Sequence, residues 1–459
     1  MSRPTFAFWG FFLRLLCLLC FLCFPSLARA QQPPADATEI SREVLYHPAR
    51  RIESTARGWI FRAAQFTYRF DPASGQWEVA REKNSFPAES GRAARVYASA
   101  RLGAEYRLKG TSTDEEGFVE IGRGEEPDPV ARLRLWERKP LATTWLAFLR
   151  HDAPGLTEEA LAKDLEVADP QVADVADDGT CLWLAIHYST AEGSLGIGTL
   201  VRFDPRTNDA KAFQPHELTL SSVTHIVAAG GALWLGTLRH GEGTIFVTKG
   251  LVRFDPATEE LRSYLPGSSR LVGSIVTALG VSGDALLVAT DAGVCRIDRA
   301  GSASEGWTCW RIVPTVRLAA PVAVSNRPGA PPGGRLPAGS YAVRWANAGY
   351  FEVVTPDWIE GWVAADDYAE YARLRFEAEP YELGNSGGGP TPMRLLAKPG
   401  GDPLAGALVY RAPLERRGEA TAEGWQRVRA RVGWISRKDL EVTPVIQPVG
   451  QPASSAPPR

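Results

Sequence analysis

The chain has 459 residues, a formal net charge of -2 and 44% hydrophobic residues. This length allows two or three domains, and the near-neutral balance excludes the basic field that non-specific nucleic-acid binding needs. Its cations are mostly Arg rather than Lys, a compositional bias and not a phosphate-binding cluster.

The N-terminal segment, residues 1–30, has the three parts of a secretory signal peptide. Arg3 supplies the positive start, Phe11 to Phe24 is an apolar run broken by Arg14, and Ala28-Arg29-Ala30 is a small-x-small cleavage site. Cleavage is expected before Gln31, which places the mature chain in the periplasm or outside the cell. No later stretch approaches the roughly 18 consecutive apolar residues of a membrane span, so the mature chain is expected to have no transmembrane segment. Cys17, Cys20 and Cys23 do not follow the small residues of a lipoprotein site, and all three leave with the signal.

Beyond it the chain repeats itself. LVRFDPRTNDAKAFQP (200–215) and LVRFDPATEELRSYLP (251–266) place Arg202 and Arg253 at an offset of 51 residues. The offset holds upstream, where VADVADDGTCLWLAI (172–186) lies against VTHIVAAGGALWLGT (223–237) and Trp183 meets Trp234. A third copy is VTALGVSGDALLVAT (276–290) followed by GVCRID, and a fourth fragment is GWIFRAAQFTYRFDPASGQWEV (58–79). Short alternating runs separated by Gly and Asp turns predict antiparallel strands, four to a unit. In RFDP the Asp side chain accepts turn N–H groups and the Pro presets φ, so the motif reads as the turn between third and fourth strands. Phe203 and Phe254 are expected to point between sheets, with the Arg side chains on the opposite face.

These phrases resemble the two-component-regulator type propeller repeat, clearest over residues 171–313. The resemblance implies an all-β fold with a β-propeller over residues 40–315, of about six blades at roughly 45 residues each. It also implies that the N-terminal fragment closes the ring by completing the last blade. LTEEALAKDLEV (156–167) departs from the pattern and reads as a short helix.

Of the cysteines left in the mature chain, Cys295 and Cys309 lie on two strands of GVCRIDRAGSASEGWTCWRI. Folding that hairpin about Ser302 sets them directly opposite, within disulfide range. A Cys295–Cys309 bridge is therefore the expectation in an oxidising compartment, against the competing reading of two buried thiols.

After Pro314 the pattern changes. Arg327-Pro328-Gly329, Leu336-Pro337-Ala338-Gly339, Phe351-Glu352-Val353 and Gly361-Trp362-Val363 resemble the motifs of a bacterial SH3-like domain, and Lys398-Pro399-Gly400, Trp425-Gln426-Arg427-Val428 and Gly433-Trp434-Ile435 resemble a second copy. Two small SH3-like barrels are implied, at 316–376 and 393–443, joined by a linker at 377–392 and followed by a disordered tail at 444–459. Such domains bind peptidoglycan stem peptides or protein partners. Trp345 and Trp358 are candidates for an aromatic binding groove, whereas Trp362 and Trp434 read more readily as the cores of the two barrels.

No nucleophile elbow, zinc-binding His-Glu pair, phosphate loop or Cys-x-x-Cys pair is present, and no cofactor is expected. His187 and His240 follow equivalent second strands, and Asp174 and His225 occupy equivalent innermost-strand positions. Together they form a candidate ligand-binding set at the mouth of a central channel; no metal site and no catalytic residue is assigned. Two functions follow. One is an exported, non-catalytic binding or scaffold protein of the bacterial envelope, its partners peptidoglycan or envelope proteins. The other is a propeller-type hydrolase or lyase with its site at the channel mouth.

Overall fold

A computed structural model describes residues 48–449 except 87–93, 114, 138–156, 158–168, 191–192, 195–196, 219–220, 239–247, 267, 303–304, 347–348, 370–392, 402 and 410–413. The expected signal segment, the linker 377–392, His240 and, apart from Thr157, the expected helix at 156–167 lie outside the described residues.

The chain is all-β. Among the described residues five antiparallel units follow one another, each with four main strands from one stretch of chain; the third adds a two-residue fifth strand, and the fifth is part of a larger sheet. The first comprises β1 (Arg51–Thr55), β2 (Gly58–Arg62), β3 (Phe66–Asp71) and β4 (Gln76–Arg81), and the second β5 (Arg95–Ser99), β6 (Ala104–Ser112), β7 (Glu116–Arg123) and β8 (Ala131–Glu137). The third comprises β9 (Asp169–Asp177), β10 (Leu182–Thr190), the two-residue β11 (Gly193–Ser194), β12 (Thr199–Asp204) and β13 (Asp209–Phe213). The fourth has β14 (Ser222–Ala229), β15 (Ala232–Leu238), β16 (Leu251–Phe254) and β17 (Leu261–Tyr264). The fifth has β18 (Val276–Ser282), β19 (Ala285–Thr290), β20 (Gly293–Asp298) and the long β21 (Gly306–Leu318).

Residues 58–79 do not complete the last sheet, although the resemblance implies that they would. They form β2 to β4 of a sheet of their own, and β18 to β21 are the four strands of the fifth unit within a larger sheet. The first sheet instead packs face to face on the fifth, with Trp59, Phe61, Tyr68 and Phe70 against Ala278, Leu287, Val294 and Ile312. The other cores join the second sheet to the third, the third to the fourth and the fourth to the fifth. Sheets flanked on both sides need apolar residues on both faces, and β15 and β19 are correspondingly near-continuous apolar runs.

The RFDP motif is a turn. The carboxylates of Asp71, Asp204 and Asp255 each accept the backbone N–H two residues on, at 2.9, 3.0 and 2.9 Å. Their carbonyl oxygens accept N–H from Gly75, Asn208 and Glu259, each at 2.8 Å. Those three residues have φ of 68°, 61° and 60°, a region that Gly and Asn enter readily and Glu rarely. Phe203 and Phe254 are fully buried. Each packs on the preceding sheet, Phe203 edge-on to Tyr106 and Phe254 edge-on to Trp183. Cys295 and Cys309 face each other across β20 and β21 and form a disulfide.

The C-terminal part departs from two barrels in tandem. Its strands are β22 (Val322–Val324), β23 (Gly334–Leu336), β24 (Gly339–Ala346), β25 (Tyr350–Val353), β26 (Ile359–Ala364), β27 (Met393–Leu396), β28 (Pro403–Val409), β29 (Leu414–Arg416), β30 (Trp425–Ala430), β31 (Gly433–Ser436) and β32 (Val442–Pro448). The closing strand of the first sequence copy, β26, pairs with β27 and β30 of the second. The closing strand of the second, β31, pairs with β25 of the first. One unit, residues 359–430, is thus inserted between β25 and β31 of an outer unit. Core clusters follow this nesting: Val316, Leu336, Val343, Phe351, Val353 and Ile435 fill the outer unit, and Val363, Leu395, Leu414, Val428 and Trp434 the inserted one. Gly433 permits the crossing, since a Cβ there would meet Val324 Cγ2 at 2.6 Å and Thr355 Cγ2 at 2.7 Å.

Two expected boundaries fall inside strands. β21 runs from the fifth sheet into the outer unit without a break, pairing with β20 over Gly306–Arg311 and with β24 over Thr315–Leu318. On its other edge lies β32, paired from Trp310↔Pro448 to Val316↔Val442. Residues 444–448 are therefore strand rather than disordered tail, because Val445 and Ile446 complete a sheet edge. Residues 450–459 lie outside the described residues.

Candidate functional site

The first strands of the third, fourth and fifth sheets share a feature that strand periodicity does not predict. Each carries a β-bulge, leaving out Ala173 in β9, Thr224 in β14 and Thr277 in β18. A bulge re-aims the neighbouring side chains. Asp174, His225 and Ala278 directly follow it, opposite Ala185, Gly236 and Ala289.

Asp174 reaches the backbone of the strand that carries His225. Asp174 Oδ1 accepts Arg95 of the second sheet at 3.0 Å, and its Oδ2 accepts the backbone N–H of Ile226 in the fourth at 3.0 Å. One carboxylate thus ties three sheets. His225 Nδ1 lies 2.9 Å from Thr224 Oγ1, which also donates to Gly236 O at 3.3 Å. In the fifth sheet the bulged Thr277 donates to Ala49 O at 2.6 Å and holds the start of the first sheet. Gly236 permits the close approach of the fourth and fifth sheets, because a Cβ there would meet Val276 Cγ1 at 2.9 Å.

His187 stands on β10 opposite Gln171, half-buried. Among the described residues, no three His, Cys, Asp or Glu side chains are grouped as a metal site. Two residues at this seam were not among the sequence candidates. Arg95 is one. Asp177 is the other, accepting Tyr97 Oη at 2.9 Å and Ser99 Oγ at 3.0 Å. Burial, and this hydrogen bond to a carboxylate, push the Tyr97 phenol well above its ordinary range. The signal for Asp177 was its place at the end of the first strand of a repeat, but an Asp before a turn has the commoner explanation of a cap, which the next residue, Asp178, fulfils by accepting Cys181 N and Trp183 Nε1.

In the C-terminal part, Trp345 lies on β24 in register with Glu352. Trp358 lies on the crossover from β25 to β26, half-buried, with the Arg429 guanidinium 4.1 Å and the Arg431 guanidinium 5.1 Å from its ring centroid. Both cations are held, Arg429 by Glu415 and Arg431 by Pro356 O. Trp434 is core, 1% exposed, whereas Trp362 is half-buried and belongs to neither core cluster.

No protein-family model matches the chain, and no curated relative matches it. Among solved structures, the extracellular domain of BT4673 from B. thetaiotaomicron is similar at 12% identity and a TM-score of 0.28, covering 67% of this chain and 33% of that one. The GH74 xyloglucanase from Xanthomonas campestris is similar at 15% identity and a TM-score of 0.28, with 66% and 43% covered. YjhT is similar at 13% identity and a TM-score of 0.26, with 77% and 97% covered. The chain spans about a third of the length of the first of these. Similarity at this level carries no function across. No helix among the described residues is long and apolar enough to cross a membrane.

Proposed function

We propose that the chain is an exported binding or scaffold protein of the bacterial envelope. In this reading the five sheets are blades of a β-propeller, and the nested C-terminal units are SH3-like barrels that hold peptidoglycan or an envelope protein. The observation that supports it most is Trp358, an aromatic ring presented on a crossover loop beside two oriented guanidinium groups. An indole face beside fixed cations suits the carboxylates and short aliphatic side chains of a cell-wall peptide. Holding the cations in place before binding lowers the ordering cost of recognition.

The inner-strand cluster supports a hydrolase or lyase less well. A general base must be free to take a proton, and both oxygens of Asp174 already accept donors from neighbouring sheets.

The test is co-sedimentation of residues 31–459 with purified peptidoglycan sacculi, wild type against W358A and R431S. A truncation at Pro314 is unsuitable, since it cuts β21 in mid-strand and removes β32. Pelleting of the wild type that W358A abolishes supports the reading. Equal pelleting of all three, or of none, rejects Trp358 as the anchor.

A further inference from the structure

The second sheet differs from the third, fourth and fifth in having one solvated face. Its strands alternate strictly: Tyr106, Leu108, Val119 and Ile121 are buried against the third sheet, and the residues between them are not. On the outer face, Val96 stands opposite Arg107, which stands opposite Gly122. The next row is Lys109, Glu120 and Arg132, and the third is Thr111, Phe118 and Arg134. Val96 is 57% exposed, the Arg132 and Arg134 side chains are 52% and 54% exposed, and Lys109 is exposed.

Several of these cations have places of their own. Arg132 lies over the Phe118 ring at 4.0 Å and 3.5 Å from Glu120. Arg134 pairs with Glu116 at 2.9 Å. Arg107 lies over the bare backbone of Gly122, its Nε 3.7 Å from where a Cβ would stand. That Nε is buried and accepted by no group, and among the described residues neither Arg107 nor Lys109 forms an ion pair.

We propose that this face binds an acidic polysaccharide, a glycan bearing carboxylates at intervals. The backbone edges of β6 and β7 are paired on both sides, so an incoming chain gains no strand hydrogen bonds and is read by side chains alone. Arg107 and Lys109 carry positive charges with no ion-pair partner among the described residues, about 7 Å apart along one strand. Val96 and the Phe118–Arg132 stack offer apolar surface for a sugar ring. Glu116 and Glu120, interleaved with the cations, repel a dense line of phosphates and tolerate a sparsely charged chain. Charge complementarity therefore favours a polyuronate over a nucleic acid. Trp358 and the C-terminal units take no part, so this face is independent of the proposed sacculus anchor.

The experiment is calorimetric titration of residues 31–459 at low and high salt with oligogalacturonate, with a neutral glucan of equal length, polyglutamate and single-stranded DNA as controls. The expected result is salt-sensitive binding of oligogalacturonate, no binding of the neutral glucan, and weaker binding of the other two polyanions. R107S/K109S weakens it roughly tenfold, as the loss of two solvent-screened ionic contacts implies. E120Q, which leaves every cation in place, strengthens it. Failure of the folded wild type to bind, equal binding by R107S/K109S, or preference for polyglutamate or DNA overturns the proposal. Sedimentation of the free protein covers the remaining occupant: a salt-sensitive dimer lost in R107S/K109S would mean that a second copy takes this face, and would also overturn it.

Discussion

Trp434 stands opposite Glu352 across the β25–β31 pair, and its indole fills the core of the inserted unit although β31 belongs to the sheet of the outer one. The next residue, Ile435, points the other way into the outer core. Alternation along one short strand thus couples two cores.

W434A is therefore expected to cost about 3–5 kcal/mol, the usual loss for emptying a buried aromatic site, and to unfold both C-terminal units in one transition. W362A, at a half-buried position outside both cores, is expected to change stability by less than about 1 kcal/mol. Denaturant unfolding followed by hydrogen exchange separates the two. Two independent barrels would instead show W434A melting only residues 393–443.

Asp174 is the clearest tie between sheets. D174A removes the acceptor for Ile226 N–H and for Arg95, at a cost of about 1–3 kcal/mol for a part-buried donor left unpaired. R95A should cost less, because its partner pair is partly exposed, with side chains 43% and 24% accessible. The measurement is the midpoint of thermal unfolding for the two variants and their double. Coupling between them is expected, since they share one contact.

Much of this was legible before the structure. The strands of the repeats, the RFDP turn, the inward Phe203 and Phe254, and the Cys295–Cys309 bridge all follow from local pattern, and local pattern is what alternation and turn chemistry encode. The bulges at Ala173, Thr224 and Thr277 were not legible, because a bulge is a mismatch between two strands and each strand alone reads as regular. The nesting of the C-terminal units was hidden for a related reason. The motifs Gly361-Trp362-Val363 and Gly433-Trp434-Ile435 specify strands, but their pairing is set by non-local contacts such as Ile359↔Ala430 and Phe351↔Ile435. Composition misleads over residues 444–448: Pro444 and Pro448 look disordering, yet proline is tolerated on an edge strand, which is where β32 lies.

The disulfide closes a loop of sequence separation 14, for which chain entropy implies about 3 kcal/mol of stabilisation. Reduction, or C295S/C309S, should lower the unfolding midpoint accordingly. The effect should reach the C-terminal strand, because Val449 N–H bonds Cys309 O at 2.9 Å. Proteolytic release of the C-terminus under reducing conditions would show this, and an unchanged cleavage rate would rule it out.

The last prediction concerns pH. Hydrogen bonds and charge from Arg206, through its side chain and its backbone N–H, pull the Asp204 carboxyl down to about 2; in the unfolded chain it returns to the ordinary value near 3.9. A carboxyl depressed on folding stabilises the folded state above its unfolded value, and that contribution disappears as pH falls through the folded one. The turn should therefore be intact at pH 5 and loosen between about 4 and 2. The Asp71 carboxyl, lowered by Ser74 and the Ala73 N–H, should move in the same direction. Carboxyl chemical shifts followed by NMR across pH 1.5–6 test this, with D204N as the control that cannot titrate. If Asp204 titrates near 4, the Arg206 contact does not persist in solution and the backbone bonds alone hold the turn.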